Sequence, residues 1–185
     1  MNVIIIASGV DWEKGKLGIS GGDRIFIELA KRLSKNNNVV IYGWEATRLM
    51  CDMHGVSNLF KDIGLISPFL YNNRILSYIT RTIKSTSFIC KDIKDYKREK
   101  TVIISASDFW PDTIPAYFLS LFYKYKWASS LYLIAPSVFL STGSHTGLKR
   151  IIALFYKLSQ FISISLIRAN SSLLLTCSQD VINKV

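Results

Sequence analysis

Cysteine and histidine are scarce in this 185-residue sequence, and their scarcity limits the chemistry it can carry. The three cysteines, Cys51, Cys90 and Cys177, are far apart and odd in number, which indicates reduced thiols in a cytosolic setting and argues against a disulfide framework. The two histidines, His54 and His145, are not part of a close Cys/His cluster. We therefore expect no structural zinc site and no other bound metal.

Acidic residues are also few, with 13 Asp and Glu against 23 Lys and Arg and a formal net charge of +10. Such an excess favours an acidic partner, which can be anionic lipid, nucleic acid or a phosphorylated substrate, although a basic composition can equally be a general habit of the genome. The basic residues are spread along the chain and accompany no recognised nucleic-acid-binding motif. We therefore expect no nucleic-acid partner.

Long uncharged hydrophobic runs are missing as well. The first apolar run is short and has no basic flank before it, so we expect no secretory signal. The apolar, basic stretch at residues 148–168 has an uncharged run of only ten residues, against the ~20 that a membrane-spanning helix needs. It is expected to be either a buried helix or an interfacial one. The interfacial alternative places Lys149, Arg150, Phe155, Tyr156 and Lys157 in contact with an anionic membrane.

What the sequence does contain is a regular alternation of short apolar runs with helical patterns, and its hydrophobic content is 49%. The runs are residues 3–7, 39–44, 101–105, 129–135 and 172–176. The main helical patterns are residues 20–33, 45–53, 71–87, 112–125 and 148–168. This order predicts a single α/β domain over residues 1–185, with a Rossmann-like parallel sheet and helices on both faces.

The first loop is rich in glycine and leads into a helix. Ser20 and Asp23 have the spacing of a capping box, and the helix N-terminus next to Gly21 and Gly22 suits an anion. Two interpretations stay open: a contact of Ser20, Gly21 and Gly22 with a sugar or phosphate, or a tight connection without a ligand. The pattern is not G-x-G-x-x-G, so it is weak evidence for a dinucleotide-binding fold.

The ends of the later strands supply further candidates. Asp108 follows the strand at residues 101–105, at the edge where open α/β sheets bind ligands, and either meets substrate or caps a loop. Asp112 is placed to cap the next helix. Trp44, at the end of the second strand, is interpreted as a packing residue. The exposed face of the helix at residues 71–87 is expected to hold Arg74, Arg81 and Lys84.

Four segments in order along the chain, GISGGDRIFIELAKRL, ISASDFWPDTIPAYFLS, WASSLYLIAPS and SLLLTCSQDVINK, resemble one family. The chain is similar to the N-terminal domain of a two-domain GT-B glycosyltransferase of the retaining family-four group. The resemblance implies an acceptor-binding domain whose glycine loop approaches the phosphates of a nucleotide-sugar donor. By resemblance that role falls on Gly21 and Gly22, with Ser20 beside them, and no cofactor besides the donor substrate is implied.

Two departures from the family pattern limit what can be carried over. The family often has a histidine near the end of the strand at residues 129–135, but this chain has Tyr132 and Leu133 there, and His145 does not match the pattern. No catalytic residue is therefore assigned. The paired-glutamate motif of the donor-binding C-terminal domain is absent. Little transfer activity is expected from residues 1–185 without a second domain or a partner chain that supplies it.

These patterns leave three functional hypotheses. The first is the acceptor-binding half of a glycosyltransferase that acts on a lipid-linked or cell-surface glycan precursor, in the cytoplasm or peripheral on the inner face of the membrane. The alternative is a non-catalytic α/β module that binds a membrane surface or a partner. A dinucleotide-dependent enzyme ranks third and rests on Glu45, which lies about twenty residues after the glycine loop.

Overall fold

The chain is described by a computed structural model that covers residues 1–10, 12–13, 16–17, 21–64, 73–94, 96–134 and 148–182. For residues 12–13, 16–17, 148–150 and 180 it covers the backbone only. Within these ranges the chain forms an α/β domain built on a parallel sheet of six strands in the order β5-β4-β1-β6-β7-β8. The predicted Rossmann-like fold with helices on both faces is therefore confirmed.

The strands are short, and each helix follows a strand of the sheet. The strands of the main sheet are β1 (Asn2–Ile6), β4 (Asn38–Gly43), β5 (Phe60–Asp62), β6 (Thr101–Ser105), β7 (Lys126–Ser130) and β8 (Leu173–Leu175). A small antiparallel pair consists of β2 (Trp12–Glu13) and β3 (Lys16–Leu17). The helices are α1 (Gly21–Leu33), α2 (Glu45–Met53), α3 (Arg74–Asp92), α4 (Trp110–Tyr123), α5 (Leu148–Asn170) and α6 (Gln179–Ile182).

The core lies at the centre of this sheet, where β1 pairs in parallel with both β4 and β6. Ile4, Ile5 and Ile6 of β1 are completely buried, because helices cover both faces of the strand. Ile103 and Trp127 continue this apolar interior across β6 and β7. A contiguous run of β-branched residues is what such a doubly covered strand requires.

The helices form two layers. The connections through α1 and α2 lead from β1 to β4 and β5, whereas those through α3, α4 and α5 lead back across the sheet to β6, β7 and β8. Because such crossovers are right-handed, the two sets lie on opposite faces of the sheet. Helix α3 packs against α4, and α4 against α5. We call these three helices the α3–α4–α5 layer.

Polar contacts connect the end of α3 to the strands β4 and β5. Asp92, the last residue of α3, accepts a hydrogen bond from the hydroxyl of Tyr42 in β4 and forms an ion pair with Lys61 in β5 at 2.6 Å. Burial of Asp92 raises its pKa, but the hydrogen bonds from Lys61 and Tyr42 outweigh burial and leave the pKa below its usual value. Strand β5, which contains Lys61, was not predicted because it has no apolar run.

Several predicted boundaries are corrected. The strand expected at residues 129–135 is Lys126–Ser130, so that its buried end is polar. Helix α4 begins at Trp110, with Phe109 as its N-cap residue, so Asp112 lies inside the first turn and does not cap the helix. On α1 the buried residues are Phe26, Ile27 and Ala30, whereas Ile25 is 38% exposed.

Helix α5 is longer than predicted and, among the described helices, is the one long and apolar enough to cross a membrane by length and composition. The qualifying window is Ile151–Asn170, of which 17% is buried within the domain. The expectation that this stretch is too short for a span was too strict, because only Lys157 and Arg168 interrupt the window. Length and composition alone are weak evidence, since the core helix of a soluble protein passes the same test.

Candidate functional site: the carboxyl edge of the sheet

The candidate site lies at the carboxyl edge of the parallel sheet, at the point where the strand order reverses. Strand β1 continues to β4 on one side, and β6 continues to β7 on the other, so the reversal falls between β1 and β6. Ligands of open α/β sheets bind in the crevice at such a switch point. The loops that border it are residues 7–10, after β1, and residues 106–109, after β6.

The switch point is occupied by a carboxylate of the chain itself. Asp112, in the first turn of α4, is completely buried. Its Oδ1 accepts the backbone N–H of Gly9 at 2.7 Å, and its Oδ2 accepts the hydroxyl of Ser107 at 2.5 Å. A Cβ at position 9 would lie 2.8 Å from Oδ2, so only glycine fits there without a shift. The Gly9 amide is therefore unavailable to a ligand in this arrangement.

The protonation of Asp112 follows from its surroundings. Burial is the largest influence on its pKa and raises it to about 7, while the hydrogen bonds from Ser107, Gly9 and Ser8 and the charge of Arg81 act to lower it. The carboxyl group can therefore change protonation near neutral pH. Because Asp112 has no exposed surface, this group is suited to holding the two loops together and not to contact with a substrate.

Arg81 is buried beside this carboxylate, which contradicts the prediction that it lies on the exposed face of its helix. The side chain is 3% exposed and donates from Nη1 to the carbonyl oxygens of Ser8, at 3.3 Å, and of Val10, at 3.0 Å. Its guanidinium lies 5.0 Å from the ring centre of Trp44, which is itself buried, as predicted for a packing residue. Arg81 points inward because it satisfies carbonyl groups of the loop after β1.

Asp108 lies in the loop after β6 and is only 9% exposed. Its Oδ2 accepts a hydrogen bond from Nε2 of Gln160 in α5 at 2.8 Å, and the same nitrogen donates to the carbonyl of Leu133 at 2.9 Å. Burial raises the pKa of Asp108, and the hydrogen bond from Gln160 partly offsets this. Asp108 does not cap α4, whose N-cap residue is Phe109 without a side-chain hydrogen bond, and its two interpretations, a substrate contact and a loop cap, both stay predictions.

Tyr132 also belongs to this edge. In the sequence it was noted only because it stands where the family often has a histidine. Its hydroxyl is buried and has no hydrogen-bond partner of normal geometry among the described residues. Burial raises the pKa of Tyr132, and the negative charges of Cys177, Asp23 and Asp112 raise it further, while the hydroxyl of Ser130 lowers it. The ends of β7 and β8 and the start of α1 thus face one another here. A tyrosine two residues after the end of a buried strand was the available sequence signal.

The glycine loop is described only in part. Helix α1 begins at Gly21, which is exposed and has open space where a Cβ would lie, and Gly22 follows it half-buried. Ser20 lies outside the described residues, so its capping role and its ligand role both stay predictions. His145 also lies outside the described residues. Among the described residues, none lies within 4 Å of the position that a Cβ of Gly21 would take.

The aromatic residues that we expected at a membrane form part of an internal cluster. Phe155 and Tyr156 of α5 are half-buried, and their rings lie 5.6 Å and 5.4 Å from the ring of Tyr78, which is completely enclosed. Trp110 joins the cluster and donates its indole N–H to the carbonyl of Ser159. Lys157 is half-buried as well. For Lys149 and Arg150 the side chains lie outside the described residues.

The chemistry of this edge is that of hydrogen bonding. In the part of the chain that the structure describes, no three His, Cys, Asp or Glu side chains are close enough to hold a metal ion. Asp108, Gln160 and Tyr132 offer a carboxylate, an amide and a phenol, which together accept and donate hydrogen bonds.

Comparisons of the chain with protein-family models, curated proteins and solved structures find no match.

Proposed function

We propose that the chain is the acceptor-binding half of a glycosyltransferase that moves a sugar from a nucleotide-sugar to a lipid-linked or surface glycan acceptor. The observation that carries this proposal is the hydrogen-bonded pair of Asp108 and Gln160 at the carboxyl edge of the sheet, with Tyr132 after the end of β7 as a further polar group of that edge. These groups suit vicinal sugar hydroxyls, which both donate and accept hydrogen bonds. Phe109, 39% exposed next to Asp108, offers an apolar ring surface for a pyranose. The resemblance to family-four glycosyltransferases supports the same conclusion.

The donor is a nucleotide-sugar, without a further cofactor, and a second domain or a partner chain supplies most of its site. Ser20, Gly21 and Gly22 are the proposed phosphate contacts. Gly21 supports this position, because it is exposed at a helix N-terminus and a Cβ there would have no neighbour within 4 Å among the described residues. The loop after β1 is the less favourable position, because Asp112 already accepts the hydrogen bond from Gly9.

The proposed location is the cytoplasm, at the inner face of a membrane from which a lipid-linked acceptor is presented. Lys149, Arg150 and Lys157 remain the proposed contacts with anionic headgroups. Phe155 and Tyr156 are less suited to that role than expected, since their rings contact Tyr78 inside the domain. The net charge of +10 supports an anionic surface as partner.

The test is the binding of methyl glycosides of hexoses and N-acetylhexosamines to the purified chain, measured by saturation-transfer NMR. Asp108→Asn and Gln160→Ala remove the carboxylate and the amide, and each should weaken binding by roughly five-fold or more. Asp52→Asn, an exposed carboxylate on α2, is the matched control and should leave binding unchanged. Nucleotide-sugar turnover by the chain alone should be negligible.

The proposal is wrong if none of these glycosides binds or if Asp108→Asn binds them as the unsubstituted chain does. Tight binding of NAD would instead favour the dinucleotide hypothesis.

The second candidate function, a non-catalytic module that binds a membrane surface, is favoured by the exposed apolar side chains of α5. Vesicle binding without any glycoside or nucleotide binding would select it.

A further inference from the structure

The outer surface of the α3–α4–α5 layer is apolar. Six large apolar side chains on it are at least half exposed: Ile83 of α3, Phe122 of α4, and Ile151, Leu154, Leu158 and Phe161 of α5. The four on α5 recur at intervals of three and four residues and therefore form one stripe along the helix. Large apolar patches of this kind mark interaction surfaces on soluble domains.

The orientation of this stripe is set by the opposite side of α5. Ser159, Ser163 and Ile167 are buried, with exposures of 2%, 0% and 2%, and face the domain at intervals of four residues. The helix also connects β7 to β8, which are neighbours in the sheet. Helix α5 therefore lies along the domain surface, and it could cross a membrane only by leaving the sheet. Its apolar stripe suits contact with a surface from the side.

Basic residues outnumber acidic residues on the helices of this layer. Helix α5 has no acidic residue, and the single acidic residues of the other two helices are already engaged: Asp92 pairs with Lys61, and Asp112 is buried. Seven basic residues besides the buried Arg81 belong to the same three helices: Arg74, Lys84, Lys91, Lys149, Arg150, Lys157 and Arg168.

The other helical layer differs in both respects. Helices α1 and α2 together contain four acidic residues, Asp23, Glu28, Glu45 and Asp52, and four basic residues, Arg24, Lys31, Arg32 and Arg48. Their exposed large apolar side chains are Ile25 and Met53. Of the two helical layers, only the α3–α4–α5 layer combines an apolar surface with an excess of basic over acidic residues.

We propose that the α3–α4–α5 layer docks in the interface of a lipid bilayer that contains anionic lipids. Ile83, Phe122 and the α5 stripe enter the boundary of the acyl chains, and the basic residues of the three helices meet the headgroups. A second copy of the chain is a poorer occupant, because a twofold interface would set two cationic surfaces against each other. The surface is wider than the α5 segment expected from the sequence, and its role does not depend on glycosyl transfer.

The test is flotation of the purified chain with vesicles of phosphatidylcholine alone and with vesicles that also contain phosphatidylglycerol. The chain should float with the anionic vesicles and much less with the neutral ones. The double variant Phe122→Glu/Leu154→Glu should lower the partition coefficient by roughly ten-fold or more, because both side chains are exposed in the domain and enter the lipid. Ile25→Glu/Met53→Glu adds the same charge to the other layer and should have little effect.

Thermal unfolding monitored by circular dichroism establishes that both variants are folded. Absence of flotation with anionic vesicles, equal flotation with neutral ones, or an equal loss in both variants would overturn the assignment. So would a dimer in size-exclusion light scattering that only Phe122→Glu/Leu154→Glu dissociates, since a second copy would then occupy the layer. Methyl glycoside binding should be the same in both variants, so failure here is distinct from failure of the proposed function.

Discussion

The carboxylate of Asp112 joins the loops that follow β1 and β6 through its bonds to Gly9 and Ser107. From the sequence, Asp112 was predicted to be a helix cap, because it lies close to the start of a helical pattern. Its main partner, Gly9, is 103 residues away in the chain. Local spacing carries no information on such a contact, so the role of Asp112 emerges only from the assembled sheet.

Gly9→Ala should destabilise the domain by roughly 2–4 kcal/mol, because the new Cβ forces apart a buried hydrogen-bonded group. The Cβ would lie 2.8 Å from Oδ2 of Asp112 and 2.9 Å from the hydroxyl of Ser107. Urea unfolding measures the change. Gly21→Ala is the control: its Cβ would have no neighbour within 4 Å among the described residues, and stability should change by less than about 1 kcal/mol. Equal effects at both positions would contradict this account of Gly9.

Asp112→Asn should remove a pH dependence of stability. The pKa of Asp112 is raised to about 7 in the folded chain, so the folded state holds a proton that the unfolded state has lost, and stability falls as pH rises from about 4 to about 7. Asp108, whose pKa is also raised, contributes in the same direction. Urea unfolding from pH 5 to pH 8 should show a shallower slope for Asp112→Asn than for the unsubstituted chain. Identical slopes would contradict the assignment.

Arg81 shows why charged side chains are poor guides to a helix face. The exposed face of α3 was predicted from its charges, and it includes Lys84 as expected but not Arg81. The inward side of α3 carries Ser77, Thr82 and Ser85 along with Arg81, and of these Ser85 and Arg81 meet the hydroxyl and the carbonyl of Ser8 in the loop after β1. An amphipathic pattern that is polar on its buried side cannot be recognised from hydrophobic spacing alone.

At the scale of elements, the sequence predicted best what depends on local patterns. Strand β6 (Thr101–Ser105) and helix α2 (Glu45–Met53) have the predicted limits, since an uninterrupted apolar run and an amphipathic segment mark them. Strand β5 (Phe60–Asp62) was missed because it is an edge strand of three residues with two charges. Strand β7 ends in buried serines, Ser129 and Ser130, and was therefore placed too late in the chain.

The inner side of α5 allows a paired test of how this helix is held. The hydroxyl of Ser163 is buried and has no hydrogen-bond partner within the described residues, whereas that of Ser159 accepts from Tyr78 and donates to the carbonyl of Tyr156. Ser163→Ala should leave stability unchanged or raise it by up to about 1 kcal/mol, and Ser159→Ala should lower it by a similar amount. Thermal unfolding distinguishes them. A larger loss for Ser163→Ala would show that α5 is seated differently.

At the scale of the whole molecule, the two helical layers differ in their balance of basic and acidic residues. The basic residues that appear evenly spread along the sequence are balanced by acids on α1 and α2, but not on the α3–α4–α5 layer. The sequence predicted an interfacial helix but not this asymmetry, because the grouping of helices follows from strand order and crossover handedness. The carboxyl edge, by contrast, was predicted as the ligand side from strand ends alone, and Asp108 does lie there.

The most direct test of the proposed acceptor site is amide chemical-shift mapping of the ¹⁵N-labelled chain with a methyl glycoside that binds. We expect the largest shifts at Asp108, Phe109, Leu133 and Gln160, and their loss in Asp108→Asn. A methyl glycoside has no lipid tail, so it should leave the outer surface of the α3–α4–α5 layer unperturbed. Shifts concentrated on that layer, or at the amino ends of the strands, would contradict an acceptor site at the carboxyl edge of the sheet.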